Sequence, residues 1–158
     1  DMTSFDADTD AARRYVGLNG STDASTRQQV NANMRGDTIL AVRKYPTATF
    51  TISSAKDLGK KSREGHPQYE LDGKFTLHGT TRPLKITATV QKTKDGMDRV
   101  RGSFSILQTQ YGITPFSKAL GAVGVTDKLT IHGDILVAAE AEQAEGAAAE
   151  ESPAATGR

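Results

Sequence analysis

YELDGKFTLHGTTRPLKITATV, residues 69–90, alternates apolar and polar side chains with a regularity that decides the fold. Tyr69, Leu71, Phe75 and Leu77 fall on odd positions with Gly73 keeping the phase; Glu70, Asp72, Lys74, Thr76 and His78 fall on even ones. A side-chain period of two belongs to a β-strand with one dry face and one wet face. Gly79-Thr80-Thr81-Arg82-Pro83 reads as a turn, after which Leu84, Ile86, Ala88 and Val90 alternate with Lys85, Thr87, Thr89 and Gln91. The stretch therefore predicts a long antiparallel hairpin whose dry face carries no charge. Whether that face meets the protein's own core or something else that is greasy becomes the functional question.

Working outward, the same alternation recurs. Ala48, Phe50 and Ile52 alternate with Thr47, Thr49, Thr51 and Ser53; Val100, Gly102, Phe104 and Ile106 with Arg101, Ser103 and Ser105; Leu129, Ile131, Gly133, Ile135 and Val137 with Lys128, Thr130, His132 and Asp134. DLGKKS (57–62) reads as a hairpin loop, and Lys94-Asp95-Gly96 and residues 112–127 as turn and loop. Consecutive one-sided strands predict a mainly β chain, an antiparallel barrel or sandwich. Ahead of them, Thr9 and Asp10 are caps for a short helix through AARRYV. Ser25 with Gln28 forms a capping box opening a second helix through Met34, with Gly36 as its stop. Both are expected to pack on the sheet. The division is residues 1–139 as one β domain and 140–158 as a disordered acidic tail, because that Ala/Glu stretch has no aromatic or β-branched apolar residue with which to bury a face.

Composition removes several function classes. The chain has 158 residues, 36% hydrophobic content and no Trp, enough for one modest core. Without Cys there is no disulfide framework, thiolate nucleophile or Cys-type zinc site, and redox chemistry does not locate the chain. The net charge of +1 conceals a basic excess over residues 55–103 and an acidic one over residues 139–158. The basic residues are spread along strands and loops without interleaved aromatics, a solvated exterior rather than a nucleic-acid surface. No window approaches the roughly 18 unbroken apolar residues of a membrane helix. No signal peptide is legible, and the start at Asp1 is that expected of a mature or truncated product.

No catalytic or metal-binding pattern emerges. His78 and His132 point outward by parity and His66 lies in a Gly-His-Pro loop, with no ligand spacing among them. There is no G-x-S-x-G, and no His on the dry face near a Ser or Asp. Lys56, Lys60, Lys61 and Arg63 read either as a rim for anionic headgroups or as a solvated loop. FTLHGTT (75–81) and LTIHGDI (129–135) echo one another, as expected if a Gly bends both strands alike. What remains is the dry face: Phe50, Ile52, Tyr69, Leu71, Phe75, Leu77, Leu84, Ile86, Phe104, Ile106, Leu129 and Ile131. A barrel of about eight strands either fills its interior with side chains or holds one small ligand, and patterning leaves both open.

Four segments carry a family resemblance. FDADTDAARRYV followed by STRQQVNANM resembles a helical insertion, and VRKYPTATFTI (42–52) a K-Y-P-x-x-x-F lead into a strand. YELDGKFTLHGTTRPLKI resembles a G-x-L-T-x-H-G-x-T-[KR]-P-[VL] hairpin, the most specific block. FSILQTQYGITPFS (104–117), leading into VTDKLTIHGDI, resembles the F-G-I loop before a last strand. In this order they resemble the YceI-like family, lipid- or polyisoprenoid-binding bacterial barrels, over about residues 2–137. The resemblance implies a lipocalin-like antiparallel barrel, a periplasmic or secreted location with the cytoplasm not excluded, and no catalytic residues or cofactor. Family members begin with strands ahead of the position of Met2. The barrel here is therefore expected to be incomplete, a fragment or one completed by a partner chain such as a second copy.

Two readings follow. In the first the chain is a non-catalytic carrier of a polyisoprenoid, fatty acyl chain or similar lipid, with any headgroup at a rim near Lys60, Tyr111 or Thr114. In the second it is a packed β domain acting in protein–protein interaction or stress response without a ligand.

Overall fold

A computed structural model of the chain describes residues 1–118 and 123–138. The deciding stretch folds as the predicted hairpin: β2 (Pro67–Leu77) and β3 (Thr80–Lys92) pair antiparallel, from Gln68 opposite Thr89 to Leu77 opposite Thr80. Its turn is tighter than expected, only His78 (φ 50°) and Gly79 (φ 72°). Positive φ at both positions is the type I′ geometry, whose twist matches that of the flanking strands. Thr80 to Pro83 are thus strand, not turn, and Arg82 stands opposite Phe75. Pro83 is tolerated because β3 pairs with the next strand only over Thr87–Lys92, so one side of β3 has no ladder at the proline.

β1 (Thr49–Lys61), β4 (Asp98–Leu107) and a last long strand, β7 (Lys128–Val137), complete a five-stranded antiparallel sheet in the order β1-β2-β3-β4-β7. β1 runs further than its alternation suggests. Asp57–Lys61 belong to the strand with an irregularity at Gly59, and the turn is made by residues 62–66. A bulge between Ile52 and Ser54 shifts the phase, so that Ala55 and Asp57, opposite Leu71 and Tyr69, share the face of Phe50. Gly73 faces this bulge because a Cβ there would lie 2.3 Å from the Thr51 carbonyl oxygen. Two-residue strands β5 (Ser117–Lys118) and β6 (Val123–Gly124) pair within the stretch expected to be all loop. Among the described residues β1 and β7 do not pair and no further strand joins either, so the sheet is an open, incomplete barrel.

The N-terminal residues supply the second layer. α1 (Asp10–Tyr15) is capped by Thr9 as expected. α2 (Ala24–Arg35) starts ahead of the expected Ser25 cap. The Asp23 carboxylate accepts from the Thr26 amide at 2.9 Å, and Asp caps as well as Ser. Neither helix has a buried residue. The core is plugged instead by the turn after α2, where Ile39, Leu40 and Val42 join Phe75, Leu77, Ile106, Tyr111 and Ile113. Met2, Phe5 and Met34 pack against the cluster, and the Arg35 Nε tethers the N-terminal segment by donating to the Phe5 carbonyl at 2.8 Å.

The two echoed glycines do different work, contrary to the expectation of shared geometry. Gly79 is a turn residue at positive φ, whereas Gly133 sits mid-strand opposite Gly102. The expected acidic tail, 140–158, lies outside the described residues.

Candidate functional site

The strand registers put the expected dry-face residues on one side of the sheet. Phe50 stands opposite Phe75, Leu71 opposite Ile86, Phe104 opposite Ile131, and Ile106 opposite Leu129; Tyr69, Leu77, Leu84 and Ile52 follow in phase. The same registers add Ala88, Val90, Val100, Ile135 and Val137. Their parity was already legible, but sequence reasoning had not carried the inner face to the strand ends.

This inner face has two unlike halves. Toward the His78–Gly79 turn, Phe75, Leu77 and Ile106 are buried under Ile39, Leu40, Val42, Tyr111 and Ile113, with Phe50, Leu84, Phe104, Leu129 and Ile131 partly buried against them. Edge-to-face contacts of Phe75 with Phe104 (5.3 Å) and Tyr111 (5.7 Å) fix the centre of this closed half. Toward the 62–66 and 93–97 turns the face is left open. At that end Ile135 is 57% exposed and Val137 43%, and on the β1 edge Ile52, opposite Gly73, is 50% exposed, although all share a face with the core. Tyr69, Ile86, Val90 and Val100 are half-buried there, while Leu71 and Ala88 are buried.

The inner face is not free of charge, which corrects the sequence expectation. Arg82 lies opposite Phe75 because the turn is short, and Asp57 lies opposite Tyr69 because of the bulge. At the open end Lys92 stands opposite Asp98 and donates to its Oδ2 at 2.8 Å; the other Asp98 oxygen is buried without a hydrogen-bond partner. The wet face follows expectation: Lys74 and Ser105 are exposed, and Arg101 pairs with Glu64 at 2.6 Å.

The expected rim residues disperse. Lys60 is exposed on β1 at the open end, and Thr114 is exposed beyond the short 3-10 helix Gln108–Tyr111, past the opposite end. Tyr111 is not at a rim. It is 2% exposed, and burial raises its phenol pKa, with nearby Arg82 partly opposing the shift.

The histidines serve structure. His78 does not point into solvent as parity suggests: its ring packs on Tyr45 at 4.5 Å, and its Nδ1 lies 3.1 Å from the Tyr111 carbonyl oxygen. A Cβ on Gly79 would come within 2.5 Å of the Tyr45 ring. The K-Y-P and H-G motifs, 33 residues apart, are therefore two halves of one clasp. His132 meets Tyr15 of α1 edge-on at 5.0 Å, and His66 lies 4.0 Å from Glu64. Among the described residues no three His, Asp or Glu side chains are placed to hold a metal ion, and no helix is long and apolar enough to cross a membrane.

Comparison with known proteins places this arrangement. The model of the YceI-like domain matches residues 1–137. The chain belongs to the YceI-like family. It is similar to UPF0312 proteins of Pseudomonas savastanoi, 30% identical over 104 residues, and Azotobacter vinelandii, 29% over 103. Those alignments cover 65% and 64% of this chain but 51% and 50% of the relatives, so the chain spans about half the length of the curated relatives it matches. Among solved structures it is similar to Burkholderia cenocepacia BcnA, with a TM-score of 0.56 and 20% identity over 71% of this chain and 65% of that one. A Campylobacter jejuni YCEI protein gives a TM-score of 0.53 and 16% identity over 72% and 64%. At these identities the structures establish the shared fold of the YceI-like sheet.

Proposed function

We propose that this YceI-like chain is a non-catalytic carrier that holds the hydrocarbon of a polyisoprenoid, fatty acyl chain or similar lipid against the inner face of its sheet. The observation that supports this reading is the open half. Ile52, Ile135 and Val137 leave large apolar side chains uncovered on the one face that elsewhere forms the core. Covering such side chains with hydrocarbon yields about 25 cal/mol per Å². The sequence-derived lining residues divide accordingly: Ile52, Tyr69 and Ile86 would touch ligand directly, and the remainder, with buried Leu71, would form the packed floor behind it. The family resemblance favours the periplasm or secretion as the setting.

The packed-domain reading draws on the closed half, where Leu77 and Phe75 are buried by the chain's own Ile39 to Val42. In that reading the open half is covered by protein, a second copy included. Native mass spectrometry of freshly purified chain separates the two. An adduct of lipid mass on the monomer is expected; clean apo monomer would refute the carrier, and clean apo dimer would favour the second reading.

A further inference from the structure

β3 and β4 run together only where Thr87–Lys92 meet Asp98–Ser103. Toward the His78–Gly79 end they part, β3 staying with β2 down to Thr80 and β4 staying with β7 to Leu107. The parting leaves a cleft of about 410 Å³ in the wall of the sheet, lined by Arg82, Pro83, Leu84, Ser105, Ile106, Gln110 and Tyr111. Leu84 and Ile106 belong to the inner face, so the floor of the cleft is the apolar margin of the core.

Of its polar side chains, Ser105 shares a 3.2 Å hydrogen bond with Thr130, whereas Arg82, Gln110 and Tyr111 have no side-chain hydrogen bond among the described residues. Arg82 is half-buried and forms no ion pair, although eight other ion pairs occur among the described residues. The Tyr111 backbone carbonyl is engaged by His78, and its hydroxyl has no hydrogen-bond partner among the described residues. Gln110 is exposed and its amide has no hydrogen bond among the described residues. A guanidinium, a phenol and an amide, all able to donate, thus stand above Leu84 and Ile106. A half-buried cation beside apolar carbon gains most from an anion that brings its own apolar chain. One guanidinium suits one negative charge, and its planar fork suits a carboxylate.

Resting on the carrier reading, we propose that the cleft is a lateral portal for a fatty-acid-class ligand. The carboxylate pairs with Arg82 and accepts from the Tyr111 hydroxyl. Its chain passes between the strands and lies along β3 toward Ile86 and Val90, a path of about 26 Å at the rise of a strand. The portal selects a monoanionic headgroup over a neutral one of equal chain length.

The test is titration calorimetry of the full 158-residue chain with palmitate and with hexadecanol, in the parent, Arg82→Gln, Arg82→Lys and Tyr111→Phe. Palmitate is expected to bind the parent more tightly than hexadecanol. Arg82→Gln should weaken palmitate about ten- to a hundredfold and leave hexadecanol unchanged. Arg82→Lys, which keeps the charge and loses the fork, should weaken palmitate less than Arg82→Gln does, and Tyr111→Phe should lose several-fold, again for palmitate only. If both ligands bind the parent equally and ignore Arg82→Gln, the portal is overturned while the carrier stands. An equal loss of both in Arg82→Gln makes Arg82 structural and also overturns it, a result that Tyr111→Phe checks should Arg82→Gln fold poorly. Failure of the parent to bind either ligand overturns the carrier and the portal together.

Discussion

The two halves of the inner face respond oppositely to one kind of truncation. Leu77 is 6% exposed and packed beneath Ile39, Leu40 and Val42. Leu77→Ala removes hydrocarbon from a closed site, so the lost transfer energy and the residual cavity together cost about 2–5 kcal/mol. Ile135 is 57% exposed. Full burial of such a side chain contributes about 1.5–3 kcal/mol, and less than half of Ile135 is covered, so Ile135→Ala should cost no more than about 1 kcal/mol. Affinity should run the other way. If hydrocarbon covers Ile135 in the complex, its truncation forfeits up to about 2 kcal/mol of burial, roughly thirtyfold in Kd, while Leu77→Ala leaves Kd of the folded fraction nearly unchanged. Urea unfolding at fixed protein concentration gives the first quantity and calorimetry with hexadecanol the second. An Ile135→Ala chain that loses as much stability as Leu77→Ala would refute the open half. Unaltered affinity in Ile135→Ala would remove the ligand from it.

Gly79→Ala should destabilise by at least about 1–2 kcal/mol from backbone handedness alone, and by more because its Cβ meets Tyr45; repeating it in a Tyr45→Ala background should recover the steric part in the same urea assay. The Asp134 carboxyl is held below its ordinary 3.8 by hydrogen bonds from Arg99 at 2.7 and 2.5 Å. Its folded pKa being the lower one, its contribution is complete above about 3.8 and lost as pH falls through the folded value, so Asp134→Asn should flatten the acid limb of a stability–pH curve. Tyr111 is the reverse case, its phenol raised above 10.0 by burial. Its contribution holds below about 10 and is lost as pH rises through the folded value, so phenolate absorbance should show one of the four tyrosines titrating late and Tyr111→Phe should remove that phase.

What was legible in the sequence follows from where a periodic signal exists. Phe75, Leu77, Phe104 and Ile106 announce their face because each strand alternates over many residues, and one slipped residue would turn the whole set into water. The bulge after Ile52 breaks that count within β1, which hid the inward placement of Asp57. The short turn escaped because His takes the positive φ usually read from Asn or Asp, and a strand that begins at Thr80, four residues before Leu84, converts Arg82 from loop to inner face. Ile39, Leu40 and Val42 carry no period at all. A plug formed by an irregular turn reads locally like any apolar tetrad, and only the sheet it closes gives it meaning.

The sheet's edges bear on how the open half can be covered. β1 ends the sheet with exposed Lys56, Lys60 and Lys61, a bulge and a kink at Gly59, all features that discourage another strand from adding. β7 ends it with Ile135, Leu136 and Val137, exposed on both faces. The unprotected edge and the uncovered half of the inner face thus meet at one corner. Hydrocarbon laid along β3 toward Val90 would cover the inner side of that corner and leave Leu136 in water, whereas a strand added to β7 would engage its backbone. The carrier and the assembly readings therefore compete for Ile135 but not for Leu136. A substitution at Ile135 that alters lipid affinity in a monomer, with Leu136 indifferent, fits only the first.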